Sequence, residues 1–368
     1  MCGVPTEAGA EALKKFEHGG NIYKKCPGQG QWLDFSANIN PLGLAPEVRA
    51  VIAKHIDAII NYPDPEAKAL KEALARTYQL PAEQLVLGNG AAELFYLFLQ
   101  MVRPRRIGIP VPSFSEYQRS AEALGAEVVF SRLPEVEDFR VNMERLQADF
   151  AQVDCVLLGN PNNPTGQLVT RAQLLELLEF LAARDAWLVV DESFMDFVPQ
   201  AEKYSVRDLT AQYPRLFVVQ SLTKFYAMPG LRIGFGAGSS HLVQLLERGK
   251  DVWNVNLLAQ AAGVAALGLK EYHKRSRDFV QAEKEWLYHK LQAIPGLRPL
   301  RPSVNFIMLD IRGTGFTSSE FAARLQSQGI LVRDCANYTG LEGTAYVRVA
   351  VRSRQENECL LQALEARE

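Results

Sequence analysis

The chain has 368 residues, 48% of them hydrophobic, with a formal net charge of −2 and a pI near 6.3. That length and apolar content are enough for a large core and about two domains, while the balanced charge leaves no basic footprint for nucleic acid. Five cysteines, Cys2, Cys26, Cys155, Cys335 and Cys359, are widely spaced and never form a C-x-x-C pair, which argues against a disulfide framework or a zinc site.

Residues 1–20 carry Glu7, Glu11, Lys14, Lys15 and Glu17 and no apolar run. They do not read as a secretory signal, and the expected compartment is the cytoplasm. A helical pattern at 46–60 completes a stretch, 1–60, expected to form an N-terminal arm packed on a smaller domain. The most apolar helical pattern, near 174–183, is broken by Glu176 and Glu179, so no membrane span is expected.

From 84 to 235 short β-rich runs alternate with helical patterns. The runs fall at 84–87, 106–109, 127–130, 153–158, 187–190, 216–220 and 233–235, and the patterns between them at 91–102, 115–124 and 170–183 have apolar residues at helical spacing. Thr170 is placed to cap the last of these. This rhythm predicts an α/β fold with a mostly parallel seven-stranded sheet flanked by crossover helices. After 238 the pattern changes to helices at 257–269 and 272–294, strand-like 305–310, a helix at 318–328, strand-like 330–333 and 345–349, and a helix at 354–366. That predicts a smaller α+β domain, so the expected division is 1–60 arm, 61–270 large domain and 271–368 small domain.

Several of the runs end in residues suited to a ligand, and in open α/β sheets ligands bind outside the carboxyl ends of the strands. The first ends in Gly88-Asn89-Gly90-Ala91-Ala92, where the first amides of the following helix, at Ala91 and Ala92, could meet phosphate oxygens; alone it also reads as a tight strand–helix turn. Pro112-Ser113-Phe114-Ser115-Glu116-Tyr117 follows the second, and Phe114 or Tyr117 could stack on a planar ring or simply join the core. Asn160-Pro161-Asn162-Asn163-Pro164-Thr165-Gly166 closes the fourth; its prolines and glycine fix amide side chains at a strand end, with Asn163 able to bond a phenolic oxygen or to serve its own turn.

Asp191-Glu192 ends an apolar run, so one carboxylate at the edge of a buried sheet needs a cationic partner. Ser221-Leu222-Thr223-Lys224, followed by Arg232, offers a lysine beside hydroxyl and guanidinium groups suited to a phosphate. A lysine able to form an imine next to a phosphate grip suggests pyridoxal 5'-phosphate, although a lone S-x-x-K also occurs in acyl-transferring serine enzymes.

Taken in order, G-N-G, P-S-F-x-x-Y, N-P-N-N-P-T-G, D-E and S-L-T-K…R resemble the fold-type I pyridoxal-phosphate enzymes of the aminotransferase superfamily over essentially the whole chain. The resemblance implies Lys224 as the Schiff-base lysine, Asp191 at the pyridine nitrogen, Asn163 at O3′ and Phe114 on the ring. It places the cofactor phosphate among the Ala91 and Ala92 amides, Ser221, Thr223 and Arg232. Tyr62, in Asn61-Tyr62-Pro63-Asp64, matches a tyrosine that reaches the phosphate from a partner subunit, so a homodimer with shared active sites is implied.

Within the superfamily the chain is similar to histidinol-phosphate aminotransferases and to the threonine-phosphate decarboxylases of cobalamin biosynthesis. His18-Gly19-Gly20-Asn21, the segment Asp34-Phe35-Ser36-Ala37-Asn38-Ile39-Asn40-Pro41-Leu42-Gly43 and Cys335-Ala336-Asn337-Tyr338 favour the latter. So does Phe194, where the aminotransferases place a tyrosine after D-E-x; a phenyl ring cannot donate to O3′. The substrate implied is a small phosphorylated amino acid, with Arg348 and Arg333 as anion contacts and His18 and Asn38 near its phosphate. Transamination of histidinol phosphate is the alternative, and a non-catalytic pyridoxal-phosphate regulator a third.

Overall fold

In the computed structural model, which describes residues 18–27 and 30–366, the seven runs expected between 84 and 235 form one sheet. After a short strand β1 (Leu33–Asp34), they are β2 (Leu85–Gly88), β3 (Arg106–Val111), β4 (Glu127–Arg132), β5 (Cys155–Gly159), β6 (Trp187–Asp191), β7 (Leu216–Ser221) and β8 (Gly234–Gly238). Their spatial order is β2-β8-β7-β6-β5-β3-β4. Only β8 runs against its neighbours, antiparallel to β2 and β7, and the other pairings are parallel. The N-terminal residues 1–17, including Cys2 and the charged pattern from Glu7 to Glu17, lie outside the described part of the chain.

The central strands are apolar throughout because both faces are covered, as a parallel sheet requires. Alternate residues serve opposite sides: Cys155, Leu157, Val189, Phe217 and Val219 pack with Phe95 and Phe98 of helix Ala91–Val102. Val156, Leu158, Leu188, Val190, Leu216 and Val218 pack instead with Leu174, Leu177 and Leu178 of helix Arg171–Ala182. Thr170 caps that helix as expected, in a full capping box with Gln173.

The C-terminal part holds β9 (Arg298–Pro299), β10 (Phe306–Asp310), β11 (Ile330–Leu331), β12 (Arg333–Asp334) and β13 (Tyr346–Ala350). Four of these form an antiparallel sheet in the order β12-β13-β10-β9. The strand expected at 330–333 divides at Val332: Ile330 and Leu331 pair in parallel with Leu33 and Asp34, and Arg333 moves on to face Arg348 across the second ladder. The switch turns Arg333 toward the site described below.

The single helix expected at 46–60 also divides. Pro46–His55 is α-helical and Ile56–Ile60 a 3-10 segment. Val48 and Ala45 share an apolar cluster with Ala259 and Ala262 of helix Leu257–Leu267, so this part of the arm lies against that helix while Leu33–Asp34 joins the C-terminal unit. Among the described residues no helix is long and apolar enough to cross a membrane.

Candidate active site

The strand ends that carry the motifs lie side by side. Gly159 pairs with Asp191, Asp191 with Val219, Ser221 with Gly234, and Gly234 with Gly88. Because β8 runs the opposite way, its entrance falls on the edge where the parallel strands finish, which brings Arg232 beside Lys224. The shared edge follows from topology, whereas the residues on it come from loops more than a hundred positions apart.

Ser221 Oγ lies 2.7 Å from Thr223 Oγ1 and accepts from Lys224 Nζ at 3.1 Å. Burial depresses the lysine from its ordinary value to about 8, with Asp191 opposing the shift and Arg232 adding to it. The free lysine is therefore an available nucleophile near neutral pH. Helix Ala91–Val102 begins at Gly90, with φ +85° and no side-chain cap, so its first amides are not taken by a cap. A Cβ on Gly90 would collide with the Arg232 guanidinium, and one on Gly234 would come within 2.8 Å of the Ala91 nitrogen. These two glycines let a cation and a helix N-terminus converge on one spot, a pocket suited to a phosphate.

Deeper in, the Asp191–Glu192 ambiguity resolves through partners. Glu192 is fully buried and spent on Ser205 Oγ (2.7 Å), the Val206 amide (2.9 Å) and Arg207 (3.2 Å). Asp191 accepts from Tyr117 Oη at 2.7 Å and from the Ser193 amide at 2.9 Å. It is the carboxylate left at the strand end. Tyr117 is thus not a stacking ring: its hydroxyl orients Asp191, and a Cβ on Gly159 would crowd that hydroxyl at 3.0 Å. Phe114, one helical turn earlier, is the half-buried ring facing outward.

Of the three asparagines in the 160–166 turn, Asn160 bonds the backbone of Val169 and Tyr204, and Asn162 bonds Pro112 O and Thr165. Asn163 alone reaches across to the C-terminal unit, where Oδ1 accepts from Arg348 Nη1.

Arg348 and Arg333 stand directly opposite on β13 and β12, both buried. Like charges in that relation repel, and burial, followed by Arg333 itself, pushes Arg348 below the usual guanidinium range despite nearby Tyr338 and Cys335. Arg348 donates to Asn163, to Ser36 O at 2.7 Å and to Tyr338 Oη at 3.4 Å. Its Nε has no partner, and among the described residues no carboxylate pairs with it. A buried cation held only by neutral acceptors is a site for an anion. Arg333 donates to Asn337 Oδ1 at 2.7 Å and lies over the Tyr338 ring at 4.8 Å.

Asn38 is buried with Oδ1 unpartnered, a polar atom awaiting a ligand. His18 bonds Glu116 at 2.7 Å and sits 5.6 Å from the Phe114 ring. Phe194 is buried edge-on against Phe306 at 5.1 Å, and Arg348 lies over Phe306 at 5.3 Å. Tyr62 is 75% exposed and stacks on Trp253. Three residues were not singled out from the sequence for the roles their contacts give them: Tyr117, Glu116 and Tyr338. The only signal for the first two was helical spacing after Phe114; Tyr338 stood in a noted segment without a role.

With the geometry in view, the comparisons with known proteins give the class. The family of class I and II aminotransferases matches residues 30–364, and the chain belongs to it. A threonine-phosphate decarboxylase of Salmonella typhimurium is 36% identical over 96% of this chain and 97% of that protein. A protein of Caldanaerobacter subterraneus subsp. tengcongensis, given the same name provisionally, is 40% identical over 96% and 94% of the two chains. Among solved structures, the histidinol-phosphate aminotransferase of Clostridium acetobutylicum superposes with a TM-score of 0.84 at 29% identity, over 90% of this chain and 97% of that one. The cofactor of this class is pyridoxal 5'-phosphate, and the uncapped helix start, the Gly90–Arg232 notch and the strand-end Asp191 fit it.

Proposed function

We propose that the chain decarboxylates L-threonine O-3-phosphate to (R)-1-amino-2-propanol O-2-phosphate and carbon dioxide, a step of corrinoid biosynthesis. The observation that carries this reading is the pair of buried arginines on β12 and β13, one of them bonded to Asn163 of the strand-end turn, in a chain similar to threonine-phosphate decarboxylases. A substrate with a carboxylate and a phosphate supplies the two anions that such a pair calls for.

Lys224 would carry the cofactor covalently, Asp191 would keep the pyridine nitrogen protonated, Asn163 would meet O3′ and Phe114 would cover the ring. Ser221, Thr223, Arg232 and the Ala91 and Ala92 amides would hold the phosphate. Bound pyridoxal phosphate supplies an electron sink for the pair released at the α-carbon. Which α-carbon bond breaks would be set by how the anion contacts of this chain orient the substrate. Arg348, tied to Asn163, would take the carboxylate, while Arg333, Asn38 and His18 would hold the phosphate. Loss of the carboxylate as carbon dioxide leaves the α-carbon to take up one proton, and Lys224 Nζ, once the substrate amine has displaced it, would be the group in place to deliver that proton.

Phe194 supports this outcome over transamination, because its buried ring offers no hydroxyl to O3′. The likeness to a histidinol-phosphate aminotransferase keeps transamination as the competing activity. Tyr62 belongs to the active site of a second copy. It stands exposed with Ile59, Ile60, Val252 and Trp253, an apolar group suited to a homodimer interface. Purified holoenzyme incubated with threonine phosphate should release carbon dioxide in step with amine product. Glutamate formed from histidinol phosphate and 2-oxoglutarate, without carbon dioxide, would replace this reading with transamination.

A further inference from the structure

Glu116 stands outside every role assigned so far, yet it is one of the most heavily engaged carboxylates near the site. It lies on the first turn of helix Ser115–Leu124, two residues beyond Phe114, with its side chain 8% exposed. Oε1 accepts from His18 Nε2 at 2.7 Å and from Arg119 at 3.3 Å, and Oε2 accepts from Tyr96 Oη at 3.1 Å. Burial alone would raise this acid, but the His18 hydrogen bond and charge together with Arg119 leave it below its ordinary value. It is therefore an anion at neutral pH, built into the large unit before any ligand arrives.

What it holds is a short strap. Gly20 N donates to Ser36 Oγ at 2.7 Å, and the carbonyl of the same serine accepts from Arg348. Gly19 lies so close to that carbonyl that a Cβ there would collide with it. Residues 18–20 are thus stitched at one end to the group that supports Arg348, and at the other, through His18, to Glu116 on the opposite side of the site. With Nε2 engaged, Nδ1 is the ring nitrogen left for a ligand, and the imidazole lies 5.6 Å from the Phe114 ring.

We propose that Glu116 is a positioning residue: it latches the 18–20 strap across the site and orients His18 so that Nδ1 meets the remote phosphate of the substrate. This rests on the reading of the substrate as a phosphorylated amino acid. Glu116 touches neither substrate nor cofactor and acts only through His18. Losing the latch therefore weakens capture of the phosphate and leaves the bond-breaking step in place.

The test uses the holoenzyme and two variants that weaken the latch to His18 or shorten its reach, Glu116→Gln and Glu116→Asp. Each should raise KM for threonine phosphate about tenfold and change kcat by less than about twofold, with unchanged cofactor absorbance and thermal midpoint. In a His18→Ala background each should add less than about twofold, since residues acting as one unit are not additive. Effects on KM that persist without His18, or a fall in kcat with KM constant, overturn the latch. Inorganic phosphate titrated calorimetrically into the holoenzyme separates this from the assigned reaction. If the chain does not decarboxylate threonine phosphate, weaker phosphate binding in Glu116→Gln still supports the latch, and equal binding in wild type and both variants overturns it.

Discussion

The cofactor side and the substrate side of this site are built differently. On the proposed cofactor side, Asp191, Ser221, Thr223, Lys224 and Asn163 all sit at or just beyond the ends of adjacent parallel strands. On the substrate side, Arg333 and Arg348 are paired across an antiparallel ladder, and the groups that hold them come from Ser36, Asn163 and the 335–338 turn. The first region is a rigid shelf assembled from local turns; the second depends on three segments meeting. The difference teaches where each kind of defect should register: on the shelf as loss of chemistry, across the ladder as loss of binding and of the choice of bond.

The sharpest way to break the comparison is Lys224→Ala. It should abolish covalent retention of the cofactor and its visible absorbance, and lower turnover at least about a thousandfold, measured by carbon dioxide release; substantial turnover would remove Lys224 from its role. Arg348→Met keeps the bulk and removes the charge. Because losing one partner of a buried charge pair, here the arginine that meets the substrate carboxylate, costs about 2–5 kcal/mol, kcat/KM should fall about 30- to 4,000-fold while the cofactor spectrum is retained. A spectrum lost together with activity would show that the two regions are not separable.

A smaller effect is expected from pH. Burial lowers Lys224 to about 8 in the cofactor-free chain, so the neutral amine prevails above that pH. The rate of cofactor loading, followed by absorbance, should rise about tenfold per unit below it and level off above. Lysine in the unfolded chain keeps its proton to the ordinary value, so the unfolded state holds more protons between about 8 and 10.5, and cofactor-free stability should increase with pH across that window. Asp191 is the counterweight, and Asp191→Asn should move the loading midpoint lower. The mildest change is Phe194→Tyr: a hydroxyl added beside Phe306 should slow decarboxylation about twofold to fivefold, under ~1 kcal/mol, and raise the share of cofactor ending in its amine form. No change in that share would sever Phe194 from the choice of bond.

Much of the shelf was legible because its signals are short-range. Apolar runs bounded by Gly, Pro and Asn mark strands that stop, and alternation along β5 to β7 follows from burial on both faces. The breaks at Val332 and His55 were not legible, since the patterns at 330–333 and 46–60 continue through them. Pairing with Leu33–Asp34 on one side and Arg348 on the other divides the first. No comparable contact explains the second.

By itself the sequence determined the sheet and the residues at its carboxyl edge, because strand periodicity and turn chemistry act over two to four positions, and the class of cofactor followed from the family that the ordered motifs resemble. Only the tertiary structure decided which of equivalent side chains is left for a ligand. Asp191 rather than Glu192 faces the site because Tyr117, 74 residues away, reaches it while Arg207 takes the other. Arg348 is held by Ser36 from 312 residues away, and Glu116 finds His18 across 98. Buried polar groups must be satisfied by whatever the fold brings to them, and no local pattern records which partner that is.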